Sequence, residues 1–210
     1  MRKTKDITVA FHLCGQTLRL WWGDWVNSVL VSLVMILTSL TVILAGPALM
    51  GVCAVAADLA DGVRTGIAGW WVGFKRYFWQ GLIWGCVNMG LLFIFAVGLW
   101  FYTQVNSIWA PLFIMILLAT ALFWGAIQFY VPGYLMVQVD KSLGLAWKNS
   151  FLTVLSAPGM TLVLFGVALM VLLASLGLFV PAFLGTGPVL GLLSVLAVRN
   201  RIEWHEAGKG

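Results

Sequence analysis

Long apolar stretches of the chain alternate with short segments that mix aromatic, basic and polar residues. A helix of about 20 apolar residues, rising about 1.5 Å per residue, crosses the roughly 30 Å hydrocarbon core of a bilayer. The pattern therefore predicts an all-α integral membrane protein with a single membrane domain over residues 1–210. Its six predicted transmembrane helices cover residues 26–45, 47–61, 80–102, 109–131, 160–180 and 186–199.

Each predicted pair of spans follows a short segment with aromatic residues on one helical face and basic residues beside them. We call these segments elbows and predict that they are helices in the membrane interface, where Trp and Lys side chains are favoured. The second and third are similar, since Gly73-Phe74-Lys75 corresponds to Ala146-Trp147-Lys148. The three elbows cover residues 7–25, 64–79 and 140–151.

The direction of the chain after the first span depends on Gly46-Pro47. Proline lacks a backbone N–H and disfavours helical geometry in the residue before it, so a turn is expected there. With this turn the six spans pair as three hairpins. The returning helix, residues 47–61, is short, and the sequence leaves open whether it crosses the bilayer completely.

Composition and charge distribution support this topology. Apolar residues make up 62% of the chain and charged residues 9%, whereas soluble domains carry about 25% charged residues. In the six-span arrangement all 12 Lys and Arg residues lie on one side, which the positive-inside rule assigns to the cytoplasm. We therefore expect an inner-membrane protein with both termini cytoplasmic. Because the basic residues flank spans and share no soluble face, nucleic acid is not an expected partner.

Asp58 and Asp61 form the acidic cluster that most suggests chemistry. The sequence Asp58-Leu-Ala-Asp61-Gly62 resembles the opening of the CDP-alcohol phosphotransferase signature, in which two further Asp residues complete a metal site. Here no acidic residue follows before Asp140, so the second half of that metal site is missing. In the alternative interpretation, both carboxylates lie near the cytoplasmic end of a helix and pair with Arg64 or a neighbouring elbow.

Asn88 and Gln128 are amides inside predicted spans. Polar groups without partners are costly in lipid, so both side chains need hydrogen bonds. They either line a polar path across the membrane or bond between helices, and bonding between helices is the more common role.

Several short motifs resemble the YesL-like family of small bacterial membrane proteins of unknown function. They are LTVILAGPALMG at the end of the first span, WxxFKRYF in the second elbow, AWKNSF in the third, and the later APGMTL. The similarity covers about residues 25–201. The resemblance implies an association with carbohydrate utilisation, because such proteins are often encoded beside sugar ABC transporters and glycoside hydrolases. It implies no catalytic residues.

We expect a non-enzymatic accessory or assembly component of a carbohydrate transport system. Its expected partners are the bilayer, anionic lipid at the cytoplasmic face, and a membrane protein such as an ABC transporter. The sequence contains no phosphate loop, nucleotide fingerprint or Ser-His-Asp arrangement, so no cofactor is expected. The alternatives are a small transporter or channel and, less favoured, a membrane enzyme acting on lipid headgroups. The candidate polar or partner-binding positions are Asp58, Asp61, Arg64, Lys75, Arg76, Lys148, Asn88 and Gln128.

Overall fold

The chain folds as a bundle of α-helices. The computed structural model describes residues 2–178 and 185–207, and these residues contain no strand. The helices are α1 (Arg2–Gly23), α2 (Trp25–Ser39), a 3₁₀ turn (Val42–Leu44), α3 (Ala45–Ala60), α4 (Gly66–Arg76), α5 (Phe78–Gln104), α6 (Ala110–Val137), α7 (Leu143–Ser156), α8 (Pro158–Leu178) and α9 (Thr186–Ala207). The predicted all-helical class is confirmed.

Several of these helices are long and apolar enough to cross a membrane. Within the described residues they are Val42–Ala60, Phe78–Gln104, Ala110–Val137 and Pro158–Ser175. Residues Asp6–Gly23 and Trp25–Ser39 add a fifth candidate if counted together, although they meet at 91°. The prediction of several helices long and apolar enough to cross a membrane is therefore confirmed, which is consistent with a membrane protein. The arrangement of six spans is not confirmed, because α2 has only 15 residues and the second half of α9 carries charged residues. The turn predicted after Val180 lies largely in residues 179–184, outside the described residues.

The turn predicted at Gly46-Pro47 lies a few residues earlier in the structure. After Ser39 the chain turns at residues 40–41, and the 3₁₀ turn leads into α3. Pro47 lies in the first turn of α3, where a missing N–H removes no intrahelical hydrogen bond. The returning segment therefore has 19 residues, about 28 Å of helix, which is longer than residues 47–61 alone.

α6 continues through Pro132, beyond the end predicted at residue 131. The Gly133 N–H donates to Ser194 Oγ of α9 over 3.1 Å, and this hydroxyl donates to the Phe129 carbonyl oxygen over 2.7 Å. Gly133 and Phe129 are four residues apart, the spacing of partners in a regular α-helix. The Ser194 hydroxyl therefore bridges the backbone of α6 beside the proline, and the helix continues.

α3 is the central helix of the bundle, and small residues let its neighbours approach. A Cβ atom at Gly46 would overlap the carbonyl oxygen of Gly81 on α5. One at Gly51 would lie 2.9 Å from the carbonyl oxygen of Trp70 on α4. Close approach at small residues is typical of helix packing in membranes. The bundle is therefore held around α3 by backbone-to-backbone contact.

The far ends of α5 and α6 are packed differently. We call residues 89–125 the outer hairpin, and Ala110 is its one buried residue. Large apolar side chains such as Phe93, Trp100 and Met115 are exposed on it. From Ala126 to Met136, α6 is buried except at Phe129. α6 thus passes from a bulky, exposed half into the centre of the bundle.

The three predicted elbows are helical, as α1, α4 and α7. α1 packs against α8 and α9 through a side that includes Ala10 and Leu13, while Phe11 and Trp22 are exposed. In α4, Trp70 is buried and its Nε1 donates to the Ala48 carbonyl oxygen over 3.1 Å. The location of the elbows in a membrane interface stays a prediction.

Candidate functional site

A cleft of about 610 Å³ lies at the C-terminal ends of α3 and α6. We call it the charged cleft. Its walls come from α3, α4, α6, the segment between α6 and α7, and α9. Its charged side chains are Asp58, Asp61, Arg76, Lys141 and Arg199. Three basic groups thus face two acidic groups at one end of the bundle.

The end of α3 positions the two carboxylates. Gly62 follows the helix with φ of 79°, a left-handed conformation that glycine adopts without steric cost and that commonly ends helices. The chain then folds back, and Thr65 Oγ1 donates to Asp58 Oδ2 over 2.9 Å. This bond fixes the start of α4, whose last residue, Arg76, lines the charged cleft.

Asp61 and Arg199 form a bidentate ion pair. The Nη1 and Nη2 atoms of Arg199 donate to Oδ1 and Oδ2 of Asp61 over 2.7 and 2.8 Å. These hydrogen bonds hold the pKa of Asp61 below its usual value. Arg199 Nη2 also donates to the Ala57 carbonyl oxygen over 3.3 Å, where a cation suits the negative end of the helix dipole. Arg199 is therefore committed to the end of α3.

Arg76 and Lys141 have no carboxylate partner. Within the described residues the ion pairs are Arg64–Asp24 and Arg199–Asp61. The Arg76 guanidinium carbon lies 5.5 Å from the centre of the Tyr77 ring. Lys141 Nζ donates to the Met136 carbonyl oxygen over 2.6 Å. Burial, together with the nearby charge of Arg76, lowers the pKa of Lys141. Arg76, Lys141 and the carboxylate of Asp58 thus lie in the cleft outside any ion pair of the described residues, and the cleft has an excess of one positive charge.

Three of the predicted charged positions, Arg64, Lys75 and Lys148, lie outside the charged cleft. The structure does not pair Arg64 with Asp58 or Asp61, since its Nε atom lies 4.0 Å from Asp24 Oδ1. Lys75 Nζ lies 5.3 Å from the centre of the Trp71 ring, and Lys148 is exposed on α7.

Asn88 and Gln128 meet in a second polar group that joins α5, α6 and α7. Gln128 Oε1 accepts hydrogen bonds from Trp84 Nε1 (2.7 Å), Trp147 Nε1 (3.2 Å) and Asn88 Nδ2 (3.3 Å). Trp124 Nε1 donates to Asn88 Oδ1 over 3.1 Å. We call these five side chains the amide–indole network. The two amides bond between helices here, which is the more common of their two possible roles.

The charged cleft brings side chains of both charges together on one concave surface. Among the described residues, no three His, Cys, Asp or Glu side chains are grouped so that they could hold a metal ion. No family model, curated protein or solved structure matches the chain. The resemblance to the YesL-like family, and the association with sugar transport that it implies, stay predictions.

Sequence reasoning missed Lys141 and Arg199 as residues of the charged cleft. A signal was present, because each stands at the end of a long charge-free stretch, where the chain leaves the membrane. The indole partners of Gln128 and Asn88 carried no such signal. Trp84, Trp124 and Trp147 are spread over three helices, and only the fold brings them together.

Proposed function

We propose that the protein is a non-enzymatic, multi-pass inner-membrane protein that serves as an accessory or assembly component of a transport system. We propose further that its charged cleft binds the phosphate group of an anionic lipid. The observation that carries the proposal is the pair of cations, Arg76 and Lys141, in one cleft, neither of them in an ion pair within the described residues.

The arrangement favours an anion over a second cation. Asp61 is paired with Arg199, so Arg76 and Lys141 share the cleft with one remaining carboxylate, that of Asp58, which accepts a hydrogen bond from Thr65 Oγ1. An anion between Arg76 and Lys141 would relieve the repulsion between the two positive groups. A guanidinium can donate two parallel hydrogen bonds to phosphate oxygens, and Lys adds a point charge. Anionic lipids of the cytoplasmic leaflet supply such phosphates at high local concentration.

We also propose six crossings with both termini cytoplasmic, formed by α2, α3, α5, α6, α8 and α9. The support is that Asp61, Lys141 and Arg199 lie in three segments expected on the cytoplasmic side, and that all three line the charged cleft. A reporter fused after Gly62 should report the cytoplasm. A periplasmic signal would contradict the six-span arrangement.

Lipid retention tests the cleft. Protein purified in a mild detergent with phosphatidylglycerol should retain this lipid in native mass spectrometry. We expect the double substitution Arg76→Gln with Lys141→Gln to reduce the retained lipid about tenfold, because both cations are lost. The matched control is Lys75→Gln with Lys148→Gln, which removes the same charge outside the cleft. Equal losses in the two variants would show a general interfacial charge effect and contradict a site in the cleft.

Inorganic phosphate separates a lipid headgroup from a soluble phosphate. A lipid site predicts that phosphatidylglycerol raises the melting temperature of the wild-type protein and that inorganic phosphate, at matched ionic strength, does not. An equal rise with inorganic phosphate, absent in the double variant, would identify a soluble ligand and contradict the lipid assignment.

The accessory role is tested separately. Extraction from native membranes in a mild detergent should yield a stoichiometric complex with a membrane transport protein. The opposite result would be a monodisperse protein without a partner that moves a sugar across liposome membranes by itself. That result would support the alternative of a small transporter.

A further inference from the structure

One carboxylate oxygen in the charged cleft has no hydrogen-bond partner within the described residues. Asp58 Oδ2 accepts a hydrogen bond from Thr65 Oγ1, whereas Oδ1 accepts none. Asp58 is half-buried, and the fully buried polar atoms that lack a partner among the described residues do not include Oδ1. This oxygen is therefore accessible to a molecule in the cleft, as are the exposed Arg76 and the half-buried Lys141.

The three charged groups lie close to one another around Tyr77. The Arg76 guanidinium carbon is 5.5 Å from the centre of the Tyr77 ring. Burial raises the pKa of Tyr77, while the charges of Arg76 and Asp58 act on it in opposite directions, so both groups are near this side chain. Arg76 is also near enough to Lys141 for its charge to add to the effect of burial in lowering the Lys141 pKa. A phosphate held by Arg76 and Lys141 therefore has Asp58 as a neighbour.

The part of the ligand beside the phosphate must donate to Asp58, because a carboxylate can only accept hydrogen bonds. In a phospholipid this donor is a hydroxyl or an ammonium of the headgroup. Arg76, Lys141 and Asp58 together leave an excess of one positive charge. A phosphodiester with a hydroxyl headgroup carries one negative charge and balances this excess. An ethanolamine headgroup cancels the charge of its own phosphate and leaves the excess in place.

A serine headgroup has the required net charge but carries a second carboxylate. Its ammonium and carboxylate are attached to the same carbon atom, so an ammonium bound to Asp58 brings that carboxylate close to Asp58 as well. Like charges at short distance repel each other. A hydroxyl avoids this repulsion and forms a strong charge-assisted hydrogen bond. The site already contains such a bond, since the Thr65 hydroxyl donates to Asp58 over 2.9 Å.

We propose that the charged cleft selects a phospholipid whose headgroup is a polyol such as glycerol. The phosphate binds Arg76 and Lys141, and a headgroup hydroxyl donates to Asp58 Oδ1. This inference rests on the proposed function, because it takes the phosphate to lie at the two cations. It adds the chemical class of the headgroup and a recognition role for Asp58.

Competition between two lipids of equal charge tests the choice of headgroup. Phosphatidylglycerol and phosphatidylethanol with the same acyl chains each carry one negative charge, but only phosphatidylglycerol has headgroup hydroxyls. The full-length protein is purified in a mild detergent with both lipids and analysed by native mass spectrometry. We expect the wild-type protein to retain phosphatidylglycerol about tenfold more than phosphatidylethanol, because one charge-assisted hydrogen bond separates them.

Substitution of Asp58 assigns the preference to its carboxylate. Asp58→Ala removes the acceptor and should lower the ratio of the two retained lipids to about one. Asp140→Ala is the matched control, because it removes the same charge from an exposed position outside the lining of the cleft. This control should keep the wild-type ratio. The ratio in the wild-type protein tests the proposal even if Asp58→Ala fails to fold.

Two results would overturn the role of Asp58. They are equal retention of the two lipids by the wild-type protein and an unchanged preference in Asp58→Ala. If the double variant Arg76→Gln with Lys141→Gln still lost both lipids, the phosphate site would stand without headgroup selection. A double variant that retained phosphatidylglycerol as well as Lys75→Gln with Lys148→Gln does would contradict the proposed function itself.

Two further competitors test the class of ligand. Stronger retention of phosphatidylethanolamine than of phosphatidylglycerol would assign Asp58 to an ammonium and overturn the polyol headgroup. Displacement of phosphatidylglycerol by an equal concentration of glycerol 3-phosphate would assign the cleft to a soluble polyol phosphate and overturn the lipid source. Retention of phosphatidylglycerol against both competitors supports the proposal.

Discussion

α3 and α5 are both apolar enough to cross a membrane, but their surroundings differ. In the most apolar 18-residue window of Val42–Ala60, 56% of the residues are buried, against 0% in that of Phe78–Gln104. α3 presents Gly and Ala to its neighbours, whereas α5 carries Leu, Phe and Trp in its outer half. Lipid chains are as apolar as a protein core, so apolarity does not separate the two locations. Side-chain size does, because small residues permit helices to touch.

The largest difference between α3 and α5 is expected when a bulky residue replaces one glycine in each helix, Gly46 in α3 and Gly90 in α5. Gly46→Leu should abolish folded protein, because even a Cβ atom there overlaps the backbone of Gly81. Gly90→Leu should leave the fold intact, since nothing lies within 4 Å of a Cβ at Gly90. The yield of monodisperse protein on size-exclusion chromatography measures both. Gly46→Ala gives a milder version, expected to cost about 1–3 kcal/mol. Wild-type behaviour of Gly46→Leu would contradict the close contact of α3 with α5.

The comparison extends to a buried and an exposed leucine: Leu135 in the buried half of α6 and Leu92 on the outer hairpin. Leu135 is fully buried, and Leu135→Ala should lower the free energy of unfolding by about 2–5 kcal/mol through lost contacts and a cavity. Leu92 is 60% exposed on the outer hairpin, and Leu92→Ala should change stability by less than about 0.5 kcal/mol in detergent. Unfolding by a denaturing detergent, followed by far-ultraviolet circular dichroism, measures the difference. Similar losses would mean that the outer hairpin is buried against protein.

The Ser194 bridge tests the polar part of the central packing. Ser194→Ala leaves the Gly133 N–H and the Phe129 carbonyl oxygen without the hydroxyl between them, and should cost about 1–2 kcal/mol. The control is Thr120→Val on the outer hairpin, where the hydroxyl donates to the Ile116 carbonyl oxygen of its own helix. We expect no measurable loss there. Thermal unfolding followed by tryptophan fluorescence compares the two, and a greater loss in Thr120→Val would contradict the bridge.

The smallest expected effect is that of pH on the Asp61–Arg199 pair. Because Arg199 lowers the pKa of Asp61 in the folded state, the pair stabilises the protein above the unfolded pKa of about 4. This contribution is lost as the pH falls through the lowered folded value. Asp61 is 60% exposed, so less than about 1 kcal/mol is expected. Melting temperatures between pH 6 and pH 3 should fall further in the wild type than in Asp61→Asn. Parallel curves would show that the pair contributes nothing.

The helical class and most helix positions could be predicted from the sequence, because charge-free stretches of span length are typical of membrane helices and rare in soluble domains. The turn before α3 could not be placed exactly from Pro47, since a proline can open a helix as readily as it can end one. Pro132 was a similar case. It lies inside α6 because Ser194, a residue of another helix, bridges the backbone beside it.

The charged cleft was only partly predictable. Asp58, Asp61 and Arg76 were candidates from their residue types, and the structure brings them together. The partner of Asp61 lies 138 residues further along the chain, a pairing that no local pattern specifies. The sequence also did not show which helices are buried in protein, because hydropathy alone does not separate lipid contact from protein contact. The Gly and Ala content of α3 was the usable signal.

The Ser194 bridge also bears on the order in which the protein is made. Its hydroxyl lies 61 residues after Gly133 in the chain, on a helix that leaves the ribosome after α6. While α6 enters the bilayer, the Gly133 N–H and the Phe129 carbonyl oxygen therefore lack the Ser194 hydroxyl as their hydrogen-bond partner. α6 can reach its final form only after α9 has inserted beside it, so a helix made later is a condition for completing one made earlier.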